Sequence, residues 1–260
     1  MMIKAIFFDI DGTLVSLRTH RVPQSAIDAI SQAKRRGVKI FISTGRPFPL
    51  IDNIEEIRHL VDGYITTNGA WCFIGDRVIA CSPIPQNDAA AMVRLADEME
   101  FGTLVVGEKD VIMYNDHGAS EVFRQLLNVR NLKSDVPVET VLSQRVLQFT
   151  PVITPEQEER LMPHLPGCES SRWCPEFADV TARGVNKGKG LLAMIADLNI
   201  GIDETMAFGD GGNDLAIVKA AGLGVAMGNA NESLKAVADY VTDSVDDDGV
   251  SNALHRWVLE

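Results

Sequence analysis

Two aspartates, Asp9 and Asp11, close an otherwise apolar run in AIFFDIDGTLV, residues 5–15. On an extended chain, residues two apart project to the same side. The two carboxylates are therefore expected to approach one another, with Gly12 letting the chain turn away at once. Desolvated carboxylates repel, so either one holds a proton or a cation sits between them. The run GDGGND offers Asp210 and Asp214 at another strand end. Three or four convergent oxygen ligands, with no cysteine or histidine among them, suit a hard cation, magnesium foremost. Such a cage leaves coordination positions for water and phosphate oxygens. Donors for a phosphate are also at hand: the Thr44 hydroxyl and Gly45 N–H in TGR, and the Asn213 amide near a helix start. Lys187, just ahead of an apolar helix in NKGKG, supplies a fixed cation, although spacing alone does not choose between it and Lys189. Arg46 has two readings, one facing the phosphate and one pairing with a nearby acid.

These residues need elements to hold them. Ile3–Phe8 is a nearly continuous apolar run, as expected of a strand covered on both faces. Ser25 is placed to cap a helix with the stripe Ile27, Ile30 and Ala33, ended by Gly37. VKIFIS (38–43) is the next strand, and TGRP interrupts the chain before an amphipathic stretch carrying Ile51, Ile54, Ile57 and Leu60. YITTNG (64–69) reads as a third strand and turn, and WCFIGDRVIAC as a hairpin with Gly75–Asp76 at its tip. From about residue 84 paired short strands alternate with helices, including strand-like segments around Trp173 and over 177–181, which suggests an antiparallel α+β module. After residue 186 the strand–helix alternation returns. The economical reading is an α/β fold: a discontinuous, doubly wound, Rossmann-like parallel-sheet core over 1–83 and 184–260, with an inserted α+β domain over 84–183. In an open parallel sheet ligands bind beyond the carboxyl ends of the strands, and all four polar motifs fall at such ends or at a helix start. The acidic run DSVDDDG (243–249) reads as a solvated turn.

Composition narrows the partners. At 260 residues, 46% apolar and 23% charged, the chain is long enough for a sizeable core and lies in the ordinary globular range. No apolar stretch approaches the ~18 residues of a membrane span. The N-terminus lacks a small-residue cleavage site, so it is not read as a signal peptide and a cytoplasmic location is expected. The four scattered cysteines form no CxxC pair and read as reduced thiols. A net charge of −12 disfavours nucleic acid and anionic membranes as partners. No feature calls for an obligate protein partner. A phosphate-accepting signalling switch would also combine acids, Thr and Lys, but it would be one compact domain without an insertion of about 100 residues.

Taken in order, DIDGT, STGRP, VNKGKG and GDGGND resemble the four signature motifs of the haloacid dehalogenase superfamily of phosphohydrolases. Asn68–Gly69–Ala70 and the run DDGV (247–250) further resemble its Cof-type branch, which carries a type IIB cap between the second and third motifs. The resemblance implies that Asp9 is a nucleophile forming an aspartyl phosphate and Asp11 the general acid and base. It implies magnesium held by Asp9, the Asp11 backbone carbonyl and Asp210, with Asp214 in support. Thr44, Gly45, Asn213 and Lys187 would hold the phosphoryl oxygens, Lys187 being favoured over Lys189. The implied activity is magnesium-dependent hydrolysis of small phosphate-ester substrates, sugar phosphates foremost, with a phosphomutase using the same intermediate as the alternative. The cap offers polar residues such as Glu108, Lys109, Asp116, His117 and Arg172, each read as an ordinary surface residue.

Overall fold

The computed structural model describes residues 2–129, 132–133, 135–172 and 174–260. In chain order the first half of the core runs β1 (Ala5–Phe8), α1 (Gln24–Arg35), β2 (Lys39–Ser43), β3 (Gly63–Thr66), β4 (Trp71–Ile74) and β5 (Arg77–Cys81). The inserted segment follows as α2 (Gln86–Glu98), β6 (Thr103–Gly107), β7 (Val111–Tyr114), α3 (Ala119–Leu127), α4 (Val138–Leu142), β8 (Val146–Pro151), α5 (Pro155–Leu161), β9 (Cys168–Ser171) and β10 (Asp179–Ala182). The chain then returns through α6 (Lys187–Leu198), β11 (Thr205–Gly209), α7 (Leu215–Ala220), β12 (Leu223–Ala226), α8 (Glu232–Lys235), β13 (Tyr240–Val241) and α9 (Gly249–Leu254). Two compact units result, one of Met1–Cys81 with Asn186–Glu260 and one of Ser82–Val185.

The first unit is built on an eight-stranded sheet of order β13-β12-β11-β1-β2-β3-β4-β5. Its first six strands in that order pair in parallel, and the β4–β5 hairpin adds an antiparallel edge. Strand β1 lies at the centre, with later strands added to both sides of it, so the winding reverses between β1 and β11. Alternate strand residues point to opposite faces. Every residue of β1 is buried, and Phe7 stacks on Phe41 at 4.8 Å while Phe8 stacks on Phe208 at 4.9 Å. Both faces of the strand are therefore covered, as parallel sheets require.

The second unit carries a five-stranded antiparallel sheet, β7-β6-β8-β10-β9. Alternate residues Val105, Phe149 and Val180 join Met92 and Ala96 of α2 in one apolar core. The intervening positions include Gln148, Thr150 and Asp179, which are buried and hydrogen-bonded to one another at 2.9 Å. Glu108 pairs with Arg145, Asp116 accepts from the Ser120 N–H, and Arg172 bonds Glu158 and the Ile153 carbonyl. Trp173 lies outside the described residues.

One local expectation differs from the structure, and two others gain detail. Ser25 does not cap α1: the helix begins at Gln24 after Pro23, and the Ser25 hydroxyl donates to Asp248 instead. The stretch over 48–60 forms two short 3₁₀ turns, Phe48–Leu50 and Arg58–Leu60, and not one continuous helix. Its spacing of three still buries Ile51, Ile54, Ile57 and Leu60. The acidic run near 243–249 is solvent-exposed in its acids but not idle, since Asp246 accepts from Ser16 and Arg18, and Val245 is buried. Because Phe41 is fully buried against Phe7, Phe41→Ala is expected to cost about 3–5 kcal/mol of stability. Chemical denaturation read by tryptophan fluorescence checks this.

Candidate active site

The polar motifs meet where the winding of the first sheet reverses. Strand β1 ends at Phe8, and the Asp9 N–H still donates to the Phe208 carbonyl of β11. The chain then turns through Gly12 at φ +85°, a conformation favoured by glycine. A Cβ on Gly12 would lie 2.3 Å from Asp210 Oδ2, so a missing side chain is what admits Asp210. Thr13 donates its hydroxyl to Asp210 Oδ1 at 3.0 Å and fixes it from the same loop.

Lys187 is the first residue of α6, whose start is capped by Asn186 accepting from the Lys189 N–H. Its side chain is 0% exposed and its ammonium donates to Asp9 Oδ1 and to Asp214 Oδ1, each at 2.6 Å. Lys189 is exposed. Asp214 uses its other oxygen to accept the N–H groups of Asp210 and Gly211, tying the GDGGND loop to itself. One buried carboxylate thus orders its own loop and fixes the lysine.

The electrostatics follow from the count of charges. Ligand oxygens of Asp9, Asp210 and Asp214 lie within 4.8 Å of one another, around a single ammonium. Burial pushes Asp9 well above the usual carboxylate range; Lys187 opposes this, while Asp214 and Asp210 add to it. Burial and then Asp214 raise Asp210 to about 7, against the pull of Thr13 and Lys187. Burial works against the Lys187 ammonium, but Asp214 and Asp9 outweigh it and hold its pKa above the ordinary lysine range. The cluster has negative charge in excess, carried entirely by hard oxygen donors. A small divalent cation fits that donor set and would relieve the repulsion.

Asp11 is placed differently from the expectation that it would crowd Asp9. Beyond Phe8 the backbone is no longer extended, and Asp11 makes only an isolated bridge to Val15, so the two-residue periodicity that would align the carboxylates is lost. Its carboxylate instead takes a two-pronged pair from Arg46, Nε to Oδ2 at 2.7 Å and Nη2 to Oδ1 at 2.8 Å, with Asn53 donating at 3.3 Å. Arg46 therefore pairs with an acid, and its Nη1 donates to the Leu50 carbonyl. Burial opposes the guanidinium charge, but Asp11 more than offsets it and raises the Arg46 pKa.

Thr44 is buried at the end of β2, with its N–H on the Ile65 carbonyl and its hydroxyl accepting from the Arg46 N–H. Gly45 is half-buried beside it. Asn213 donates its side-chain amide to Asn68 Oδ1 at 3.1 Å. Reasoning from sequence gave Thr13, Asn53 and Asn229 no role. Asn229 Nδ2 donates to the Gly12 carbonyl at 2.8 Å and its Oδ1 accepts from the Val245 N–H. Thr13 belonged to a recognised motif, whereas Asn53 and Asn229 carry no spacing signal.

A doubly wound sheet with a buried acid–lysine cluster and amide donors at its switch point defines an α/β enzyme built for phosphate chemistry. The chain belongs to the haloacid dehalogenase-like hydrolase family, whose sequence profile matches residues 6–254. It is similar to the solved HAD subclass IIB sugar phosphatase BT4131, with 46% identity over 97% of this chain and 98% of that one and a TM-score of 0.91. It is also similar to the HAD phosphatase BT1666 from Bacteroides thetaiotaomicron, with 37% identity, 98% and 95% coverage and a TM-score of 0.87. The 5-amino-6-(5-phospho-D-ribitylamino)uracil phosphatase YcsE of Bacillus subtilis (strain 168) is 31% identical over 261 residues, 99% of this chain and 96% of YcsE. Among the described residues no helix is long and apolar enough to cross a membrane.

Two outcomes follow from this geometry. Gly12→Ala is expected to displace Asp210 and strain the turn, lowering cation affinity by isothermal titration calorimetry while leaving the fold intact by circular dichroism. The second concerns pH in metal-free protein. Asp210 faces Asp214, Lys187, Asp11 and Thr13, and its folded-state pKa of about 7 exceeds the ordinary 3.8. The folded state binds that proton more tightly, so the contribution is full below the ordinary value and is lost as pH rises through about 7. Metal-free protein is expected to melt lower at about pH 8 than at about pH 5, and Asp210→Asn to flatten that difference. Thermal melts of both proteins at the two pH values check it.

Proposed function

We propose that the protein hydrolyses phosphomonoesters of small metabolites, sugar phosphates foremost, with Mg²⁺ and through an aspartyl phosphate on Asp9. The observation that carries this reading is the Asp9 carboxylate, buried at the end of β1 with the Lys187 ammonium 2.6 Å away and Asp210 and Asp214 beside it. The similarity to a solved sugar phosphatase supports the substrate class.

Asp9, the Asp11 backbone carbonyl and Asp210 would hold the cation, with Asp214 supporting through its hydrogen bonds to the Asp210 and Gly211 amides. When bound, the ion supplies positive charge that offsets the repulsion between a carboxylate and a phosphate dianion. The protein supplies the rest. Lys187 holds Asp9 in one orientation and contributes fixed charge where the phosphoryl group must sit. Thr44, Gly45 and Asn213 present a hydroxyl, a backbone N–H and an amide to the phosphoryl oxygens. Asp9 attacks phosphorus as the ester P–O bond breaks, and Asp11 delivers a proton to the leaving alkoxide. Asp11 then takes a proton from the water that attacks phosphorus and releases inorganic phosphate, restoring the Asp9 carboxylate. For Asp11 to do this it must enter the cycle protonated, so its carboxyl group first gives up some of its bonds to Arg46 and Asn53, takes up a proton from solvent and turns to the leaving oxygen.

Asp9→Asn is expected to abolish turnover of p-nitrophenyl phosphate, and Asp11→Asn to keep cation binding while losing about 10²–10⁴-fold in kcat, the range of general acid–base catalysis. Residual steady turnover in Asp9→Asn would remove the nucleophile assignment. With a sugar monophosphate as substrate, inorganic phosphate is the expected product; a positional isomer would indicate a mutase instead.

A further inference from the structure

The turn after β3 connects two neighbouring strands, yet it is built at a conformational cost that a simple connection does not need. Three successive residues are left-handed: Thr67 at φ +50°, Asn68 at +54° and Gly69 at +103°. Asn and Gly tolerate this region, but for the β-branched Thr67 it is an outlier, and the Thr67 hydroxyl is buried without a hydrogen-bond partner among the described residues. Strain of this sort persists where the surroundings over-determine the backbone, and it clusters at functional sites.

What over-determines it here is a set of contacts to three other loops of the same unit. The Thr67 N–H donates to the Arg46 carbonyl at 3.2 Å and the Asn68 N–H to the Thr44 carbonyl at 3.1 Å. The Asn68 side-chain oxygen accepts from Asn213 Nδ2 at 3.1 Å, across 145 positions of sequence. Gly69 lies so close to the start of α6 that a Cβ there would meet the Asn186 carbonyl at 2.4 Å, next to Lys187. The turn therefore touches the loops that carry Thr44, Asn213 and Lys187, and it touches all three through groups that fix position rather than charge.

We propose that Asn68 is a positioning residue for phosphate binding: it holds the Asn213 amide and the Thr44 backbone in one register, so that their donors converge on the phosphoryl oxygens. An amide nitrogen carries two N–H groups, so the bond to Asn68 uses one and fixes where the other points. The inference rests on the proposed phosphoryl-binding role of Asn213 and Thr44. It predicts that Asn68 acts on phosphate affinity through Asn213 and not independently of it.

The test is a double-mutant cycle with Asn68→Gly and Asn213→Ala, reading KM for p-nitrophenyl phosphate and Ki for inorganic phosphate. Glycine deletes the side chain while keeping the left-handed backbone comfortable. Asn68→Gly alone is expected to raise both constants by about tenfold, the scale of one neutral hydrogen bond, with kcat changed less. In the Asn213→Ala background the same change is expected to add less than about twofold. Effects that multiply, or a single variant within about twofold of the parent, would overturn the proposal. Asn68→Asp, which keeps an acceptor oxygen and a tolerated backbone, is run in a parallel cycle and is likewise expected to be non-multiplicative with Asn213→Ala. Loss of folding in both Asn68 variants would assign the turn to the fold and overturn the proposal as well. Parent turnover that disappears in Asp9→Asn is the control, and with it in place a failed cycle counts against Asn68 alone.

Discussion

The buried ammonium of Lys187, shared between Asp9 and Asp214, is the interaction on which the rest of the site depends. An uncompensated carboxylate in that setting would cost several kcal/mol, and breaking a buried pair by removing one partner costs about 3–5 kcal/mol. Lys187 can sit there only because α6 begins at that point and Asn186 caps its first turn. Asp214 can face it only because the GDGGND loop folds back on its own carboxylate. Both arrangements require β1 and β11 to be neighbours, since Asp9 and Asp210 follow the ends of those strands. The sheet order, the helix start and the folded-back loop are therefore preconditions for seating one ammonium against several acids.

A single lysine does not neutralise that many carboxylates, and the remaining imbalance gives the cluster its chemistry. Burial, and then that imbalance, raises Asp210 to about 7, and the cluster presents a donor set of hard oxygens that suits a small divalent cation. Asp11 adds to the repulsion at Asp210 but is itself held by Arg46 in a two-pronged pair. The two aspartates of DIDGT thus occupy distinct electrostatic environments two residues apart. One carboxylate is pressed among like charges and a lysine; the other has a guanidinium of its own.

Much of this was legible in the sequence, for identifiable reasons. The continuous apolar runs of β1 and β2 announce buried parallel strands, and the hairpin at Gly75–Asp76 is marked by its turn residues. The four motifs mark the strand ends because only those sites tolerate clustered acids and glycines. The side-chain geometry was less legible. The two-residue rule put Asp11 beside Asp9, but it applies only while the chain is extended, and the strand stops at Phe8. The partner of Asp11 lies 35 positions away in STGRP, and no periodicity connects the two. Ser25 carried a capping signal and bonds Asp248 instead, a tertiary contact that local propensity does not encode. Asn53 and Asn229 are neutral amides whose importance lies in what they touch, so composition and spacing leave them unmarked; Asn68 was marked by its Asn–Gly–Ala run, but its bond to Asn213 was not.

The central claim is that Asp9 becomes covalently phosphorylated during turnover, and the most direct measurement is chemical trapping of that acyl phosphate. Protein mixed with a sugar monophosphate and Mg²⁺, then quenched into borohydride, should carry homoserine at position 9 when its peptides are read by mass spectrometry. Asp11 should remain aspartate in the same digest. Homoserine at another acid, or an unmodified Asp9 in protein that is visibly releasing phosphate, would contradict the account.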